Sequence, residues 1–276
     1  MKAFPKTLVT GANGMVGSYV DFGIRTGRSE LDVTDLAAVL SLVKKLKPKV
    51  ILHLAAHTNL DEGEKNPSIP YSINTIGTYN MALAARLVKA KLVYISSTGV
   101  FDGTKKSPYT EKDIPNPQNY YGHSKYAGEL IIQNMLKDYI IARACWMFGG
   151  GPKRDKKFVA KIIAQIEKPE TKEIKALTDV KGSPTFGKDL AMALKKLIEK
   201  DARGVFNLTN NGLCTRFDVA KVIVEILKPS LPVIGVDSNY FNLPAVRIKN
   251  ESAISRTRLM RPWQEALREY LKTEWL

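Results

Sequence analysis

Apolar and polar positions along this 276-residue chain follow two alternating rhythms. Short, nearly continuous apolar runs at Lys6–Thr10, Val50–Leu54, Lys91–Ser96 and Tyr139–Ala144 read as buried strands. A shorter strand is squeezed into about Gly23–Thr26. Between these runs the spacing becomes helical. Leu36, Val39, Leu40 and Val43 mark a helix over Asp35–Leu46, and Pro48 stands just beyond its end. Further helices are expected over about Pro70–Lys89 and Tyr121–Leu136, with a brief one starting near Gly14. Strand and helix in this alternation build parallel β-α-β units with helices on both faces. The fold class is therefore α/β, a Rossmann-type doubly wound parallel sheet.

After Ala144 the rhythm loosens. Helices are expected at Lys157–Ile166, Lys188–Glu199, Phe217–Leu227 and Trp263–Leu271. Short strands are expected at Ile174–Leu177, Val205–Leu208 and Val233–Val236. No repeat or low-complexity linker divides the chain. The expected division is a first domain over 1–150 and a smaller, interleaved C-terminal lobe over 151–276, with segments from about 174–215 returning to the sheet.

Composition narrows the function. With 44% hydrophobic residues the chain can bury a large core. No run approaches the roughly 20 apolar residues of a membrane span, and MKAFPKTLVTG lacks the apolar stretch of a signal peptide. The two cysteines, Cys145 and Cys214, make no disulfide framework, so a reducing cytoplasm is the expected compartment. A formal charge of +15 raises the question of nucleic acid. The lysines are instead spread over Lys44–Lys49, Lys105-Lys106, Lys153–Lys157 and Lys195–Lys200, without a nucleic-acid motif. A solvated basic surface, attractive to an anionic dinucleotide or nucleotide-sugar, is the expectation, with neither nucleic acid nor membrane as partner.

Candidate chemistry begins at Thr10-Gly11-Ala12-Asn13-Gly14-Met15-Val16-Gly17. Three glycines spaced G-x-x-G-x-x-G after an apolar strand permit a tight turn and a close approach of phosphates, with a helix N-terminus facing them. The 1–150 unit is thus expected to bind a dinucleotide through Gly11, Asn13, Gly14, Met15, Val16 and Gly17. Arg25 and Arg28 stand where an acidic ribose partner is usual. Guanidinium groups there suit the 2′-phosphate of NADP, so NADPH is the expected cofactor, with NADH left open.

Tyr121 and Lys125 lie four residues apart on one helical face. A phenol is a weak acid near neutrality, and a nearby ammonium together with an oxidised nicotinamide would lower its pKa. Lys125 can also hold the nicotinamide ribose. Tyr121 can then donate a proton to a ketone oxygen as hydride reaches carbon, while Ser97, just past a strand end, hydrogen-bonds the same oxygen. Among the other candidates, His123 points away from this face, His53 reads as a buried strand histidine and His57 as a loop residue. No metal-ligand spacing is present.

With these residues the chain resembles the extended short-chain dehydrogenase/reductase superfamily, and within it the dTDP-4-dehydrorhamnose reductase family. The likeness runs through Thr10–Gly17, Leu31-Asp32-Val33-Thr34-Asp35, Leu54-Ala55-Ala56-His57-Thr58, Leu60-Asp61 to Glu64 and Ile73-Asn74. It continues through Val100-Phe101-Asp102-Gly103, Tyr121-Gly122 to Lys125, Arg143-Ala144-Cys145-Trp146, Lys157-Phe158-Val159, Gly182-Ser183-Pro184-Thr185 and Arg261-Pro262-Trp263.

The resemblance implies that Asp32 and Val33 flank the adenine, and that Leu54, Ala55, Ala56 and Thr58 line the cofactor path. It implies that Ser97, Tyr121 and Lys125 are the catalytic set, with Tyr121 and Lys125 also touching cofactor. Ser97, Thr98, Trp146, Lys157 and Arg247 are the implied substrate contacts. The implied reaction is reduction of the 4-keto group of a nucleotide-linked 6-deoxy sugar, in a protein that could form a homodimer.

Departures fall around the sugar. Ser97-Thr98-Gly99 stands where the family usually reads Thr-Asp-Tyr, Asp179-Val180 replaces Asp-Gln, and the Arg-Pro-x-x-Ser motif is blurred over Arg247–Ser252. A nucleotide-sugar epimerase or dehydratase of the same fold is an alternative. So is a non-catalytic NADP-binding subunit resembling the methionine adenosyltransferase β subunit.

Overall fold

The computed structural model describes residues 4–276; residues 1–3, at the start of the expected first domain, lie outside the described residues. One parallel sheet organises the molecule. Its strands are β1 (Thr7–Thr10), β2 (Ile24–Thr26), β3 (Val50–His53), β4 (Lys91–Ser97), β5 (Tyr139–Ala144) and the later strand Gly204–Asn207. Across the sheet they run Gly204–Asn207, β5, β4, β3, β1, β2. Leu8 of β1 faces Ile24 on one side and Ile51 on the other, so the chain steps first one way from β1 and then the other. That reversal opens a crevice beyond the carboxyl ends of β1 and β3, where loops 11–17 and 54–58 emerge.

Strand alternation sends side chains to two cores. Leu8, Ile51, Leu92, Tyr94 and Ile141 meet Val39, Val43, Met81 and Ala85 on one face. Val9, Leu52, Val93, Ile140 and Ala142 meet Leu190, Leu194 and Leu197 on the other. The first face is covered by helices Leu36–Leu46, Gly77–Val88 and Tyr120–Met135. Asp35 caps the first of these by accepting from the Ala38 amide at 3.0 Å. Asn119 caps the third by accepting from the Gly122 amide at 2.8 Å.

The long helix expected over 70–89 carries a π turn at Tyr71–Ile76. Its wider turn contains Asn74, which is wholly buried. The Asn74 side chain accepts from the His57 amide at 2.8 Å and donates to the His57 carbonyl and Ser124 Oγ, both at 3.0 Å. The loop after β3 is thereby pinned to the Tyr120–Met135 helix.

The brief helix expected near Gly14 is corrected to a single 3₁₀ turn at Gly17–Tyr19. β2 begins at Ile24, too soon for a longer helix. Of the 174–215 segment, Gly204–Asn207 joins the large sheet, whereas Ile174–Leu177 pairs with Val233–Val236 in a separate two-stranded sheet. That small sheet packs with helices Phe158–Ile166, Arg216–Leu227 and Trp263–Glu274 around a second core containing Ile162, Ile174, Ile223, Trp263 and Tyr270. The two parts are laced together. The Tyr19 hydroxyl donates to Glu274 Oε1 at 2.5 Å and accepts from the Gly150 amide at 2.5 Å. Among the described residues, no helix is long and apolar enough to cross a membrane.

Candidate active site

The glycine loop is built by packing at its ends and space at its middle. Gly11 has φ +67°, and a Cβ there would come within 2.5 Å of the Ala55 amide nitrogen. A Cβ on Gly17 would meet the Ala12 carbonyl oxygen at 2.4 Å. At Gly14 the one nearby atom is the Gly11 carbonyl oxygen at 3.2 Å, and Asn13 and Gly14 are exposed. The outer glycines thus close the turn against β3 and the 3₁₀ segment, and the exposed tip leaves room for a phosphate. With one 3₁₀ turn behind it, the loop offers local amide groups rather than the dipole of a long helix.

Arg25 does not fit the expected 2′-phosphate contact. Its guanidinium donates to the carbonyls of Val20 (2.9 Å), Gly17 (3.1 Å) and Ala12 (3.3 Å), bracing the loop from behind. Arg28 is different: its side chain is 83% exposed and 3.5 Å from Asp32. Asp32 accepts from the amide and hydroxyl of Thr34, which hold its carboxyl below the usual range. Val33 is buried against Gly77, so it forms the floor of that edge rather than an open wall. Leu54, Ala55 and Ala56 are half-buried, and Thr58 is exposed.

Ser97 is the last residue of β4, one position earlier relative to the strand end than its sequence suggests. Its Oγ accepts from the Gly99 amide at 3.0 Å. A Cβ on Gly99 would lie 3.2 Å from Ser97 Oγ and 3.7 Å from the Tyr121 ring, and one on Gly122 would lie 2.3 Å from the Gly99 carbonyl oxygen. Two glycines therefore let the helix bring Tyr121 down onto Ser97.

The expected lowering of the phenol pKa is not produced by the protein's own groups. Burial pushes Tyr121 up to about 12, against a hydrogen bond from Ser97 that pulls it down. Lys125, almost fully buried, is lowered to about 7 by desolvation, with the Glu129 charge acting in the opposite sense. Its Nζ lies 4.1 Å from the centre of the Tyr94 ring.

Sequence reading missed the support beneath Lys125. Glu129 is one further helical step along the same face and is wholly buried. It accepts from Ser96 Oγ at 2.5 Å and from Arg143 Nε and Nη2 at 2.9 and 2.6 Å. The other Arg143 nitrogen has no hydrogen-bond partner, and the guanidinium sits 5.1 Å from the centre of the Phe101 ring. The four-residue spacing that links Tyr121 to Lys125 continues to Glu129 and is the signal that could have found it. His53 lies between Thr10 Oγ1 (2.8 Å) and Thr78 Oγ1 (3.3 Å), and burial lowers it to about 3, so it is neutral. His123 is exposed and His57 contacts Glu62 at 3.0 Å.

The lobe supplies the opposite wall. Trp146 adopts φ +36° and lies against Gly182, where a Cβ would meet its ring at 2.3 Å. Its Nε1 donates to Glu251 Oε1 at 3.2 Å, and the Arg216 guanidinium sits 3.7 Å from its ring centre. Lys157 donates to the Thr58 carbonyl and hydroxyl, both at 2.8 Å, and Arg154 reaches the Asn13 carbonyl at 3.3 Å.

Two expected substrate contacts are corrected. Thr98 has no exposed surface; it is buried next to the Cys145 thiol and does not face the crevice. Arg247 is already engaged, donating to Asp61 at 2.9 and 2.8 Å and to the Ala245 carbonyl at 2.8 Å. Among the described residues, no cluster of His, Cys, Asp and Glu is arranged to hold a metal.

Comparison with known proteins gives the family and the fold. The family model described as "RmlD substrate binding domain" matches residues 5–275. The spore coat polysaccharide biosynthesis protein SpsK of Bacillus subtilis is 32% identical over 280 residues, covering 97% of each chain. A dTDP-4-dehydrorhamnose reductase structure from Clostridium acetobutylicum superposes with a TM-score of 0.92 at 34% identity, covering 97% of this chain and 98% of the other. A dTDP-4-dehydrorhamnose reductase structure from Bacillus anthracis, in complex with NADP, does so with a TM-score of 0.91 at 33% identity, covering 97% and 99%.

Proposed function

The chain belongs to the dTDP-4-dehydrorhamnose reductase family of extended short-chain dehydrogenases/reductases, and from that premise we propose that it reduces the 4-keto group of a nucleotide-linked 6-deoxy sugar with NADPH. The observation that carries this reading is that Tyr121 lies beside Ser97 at the end of β4, with Lys125 one turn further along the same helix and the open tip of the glycine loop following β1 of the same sheet. Bound along that end of the sheet, the reduced nicotinamide supplies the hydride.

The residues divide the remaining work. Gly14 and its neighbours receive the pyrophosphate, and Lys125 holds the nicotinamide ribose. Ser97 orients the ketone oxygen, and Tyr121 Oη gives it the proton. Trp146 and Lys157 bound the sugar nucleotide from the lobe side. Residues 1–150 carry the dinucleotide half and 151–276 most of the substrate half, with the interleaving described above. The test is to mix the purified protein with NADPH and a panel of nucleotide-linked 4-keto sugars and to follow loss of the reduced-nicotinamide absorbance. Oxidation with one sugar names the substrate. Tight NADPH binding without oxidation on any of them is the behaviour of a non-catalytic subunit and ends the reductase reading.

Cofactor choice gives a second expectation. Arg28 projects into solvent at the adenosine edge, so it is the guanidinium placed to pair with a 2′-phosphate. Arg28→Ala is expected to raise the KM for NADPH by roughly tenfold and to change the KM for NADH by less than about threefold. A wild-type preference for NADH, or equal losses with both cofactors, removes this role.

Binding should also depend on pH. The Lys125 amine stands near 7 in the free protein. An anionic dinucleotide favours the ammonium form, so binding takes up a proton above that pH. NADPH affinity is expected to be highest below pH 7 and to fall by up to about tenfold per pH unit above it. Fluorescence titration over a pH series checks this; a flat profile contradicts the assignment of Lys125 to the cofactor.

A further inference from the structure

Resting on the reductase reading, we propose that Arg216, together with Lys157, binds the diphosphate of the nucleotide-linked sugar. Arg216 opens the helix Arg216–Leu227, and the chain at that start is fixed. Thr215 Oγ1 accepts from the Asp218 amide at 3.1 Å, and Asp218 Oδ2 accepts from the Thr215 amide at 2.8 Å. Cys214, just before, pairs with Gly182, the residue against which Trp146 packs. The Arg216 guanidinium carbon comes to lie 3.7 Å from the centre of the Trp146 ring and 4.8 Å from that of Phe158.

This cation is half-buried, yet among the described residues no hydrogen bond or ion pair engages it. The aromatic faces hold its charge but accept none of its in-plane N–H bonds. Glu251 acts on it only at longer range, with one carboxylate oxygen taken by Trp146 Nε1. Burial is what chiefly lowers the guanidinium, to about 10, so it stays charged at neutral pH. Lys157 precedes Phe158 in the chain and donates to the neutral carbonyl and hydroxyl of Thr58. Among the described residues it too is in no ion pair. Two neighbouring cations without a counterion are costly to keep unless an anion binds beside them. Unclaimed planar N–H groups suit the oxygens of a phosphate.

Place in the fold decides whose phosphate this is. Ala144, at the end of β5, is the register partner of Ser97. Trp146 follows closely in the chain, so the Arg216 stacked on it lies toward the Ser97 side of the crevice. The glycine loop follows β1, three strands along the sheet from β5, a separation of about 14 Å. An anion at Arg216 is thus not the pyrophosphate held by that loop. It belongs to the second molecule, the sugar nucleotide. Lys157, whose Nζ reaches the loop after β3, closes the site on the cofactor side.

The experiment is calorimetric titration of wild type, Arg216→Lys and Arg216→Met with thymidine diphosphate, uridine diphosphate, the two nucleosides and NADPH. Arg216→Met keeps a long apolar chain against the rings and removes the N–H groups. It is expected to weaken the better-bound diphosphate by roughly 10–100-fold, while nucleoside and NADPH affinities change by less than about threefold. Arg216→Lys, a point charge without the fork, should fall in between, with a loss of about fivefold. The lost cation has no partner in the protein, so the Tm of Arg216→Met should stay within about 3 °C of wild type. Unchanged diphosphate affinity in Arg216→Met, with or without a drop in Tm, marks the residue as packing and overturns the proposal. Equal losses for diphosphate and nucleoside, a loss on NADPH instead, or no diphosphate binding by wild type overturn it as well. All of these outcomes leave the reductase reading to the NADPH oxidation assay. Failure in that assay, beside the expected diphosphate losses, removes the reductase reading and leaves the phosphate site standing.

Discussion

Replacing Tyr121 with Phe is expected to lower kcat by roughly 10²–10⁴-fold while NADPH affinity changes by less than about threefold. The substitution removes one oxygen. The ring still packs beside Gly99, and Lys125 and the glycine loop are untouched. The hydroxyl is the group held by Ser97, and burial keeps it protonated, at about 12, so in the proposed reduction it begins as a donor. A phenol that starts so weakly acidic must lose its proton as negative charge grows on the ketone oxygen. In the proposed mechanism Lys125 assists that step through its charge, so its protonated form is part of the acid. Steady-state kinetics together with a fluorescence titration of NADPH separates the two effects. Retention of more than about a tenth of wild-type kcat would show that another group delivers the proton.

Glu129→Gln is expected to cost about 3–5 kcal/mol of stability, although the residue touches neither solvent nor ligand. The substitution leaves Arg143 charged in the core, with one of its nitrogens already lacking a hydrogen-bond partner. A buried cation without its counterion is far worse than no ion pair at all. Replacing both members, Glu129→Gln with Arg143→Met, should therefore recover most of the loss, and denaturant unfolding of the three proteins reads this directly.

A second readout is independent of stability. Glu129 is the charge that opposes the desolvation of Lys125, so its removal moves Lys125 further below about 7. The pH above which NADPH affinity declines should drop accordingly in Glu129→Gln under conditions where it stays folded, and less in the double variant, where the Arg143 cation is lost as well. A single variant that loses less than about 1 kcal/mol, or one that stays folded with an unmoved pH profile, would falsify this account of the ladder Tyr121–Lys125–Glu129.

The elements that sequence reading located well are those whose signals are local. Asp35 before Leu36 and Val39 names a helix start, and the apolar runs of β3 and β5 name buried strands without any partner in view. Ile174–Leu177 and Val233–Val236 were equally legible as strands, but their pairing with each other was not, because pairing depends on residues far apart in the chain. The spacing of Tyr121 and Lys125 exposed the helix of the proposed catalytic pair, whereas Glu129 was not singled out, because its partners Ser96 and Arg143 lie on other elements. Arg25 shows the limit from the other side. Its charge and position were readable, but the direction of a guanidinium is set by which carbonyls lie within reach, and Val20, Gly17 and Ala12 took it inward.

The bond between Tyr19 and Glu274 joins residues 255 positions apart. On the ribosome, the turn around Tyr19 must wait for 255 further residues before its partner exists. Folding of the large sheet can begin during translation, but this fastening is added only once Glu274 has emerged, and a nascent chain stalled short of Glu274 would expose a half-assembled edge to chaperones and proteases.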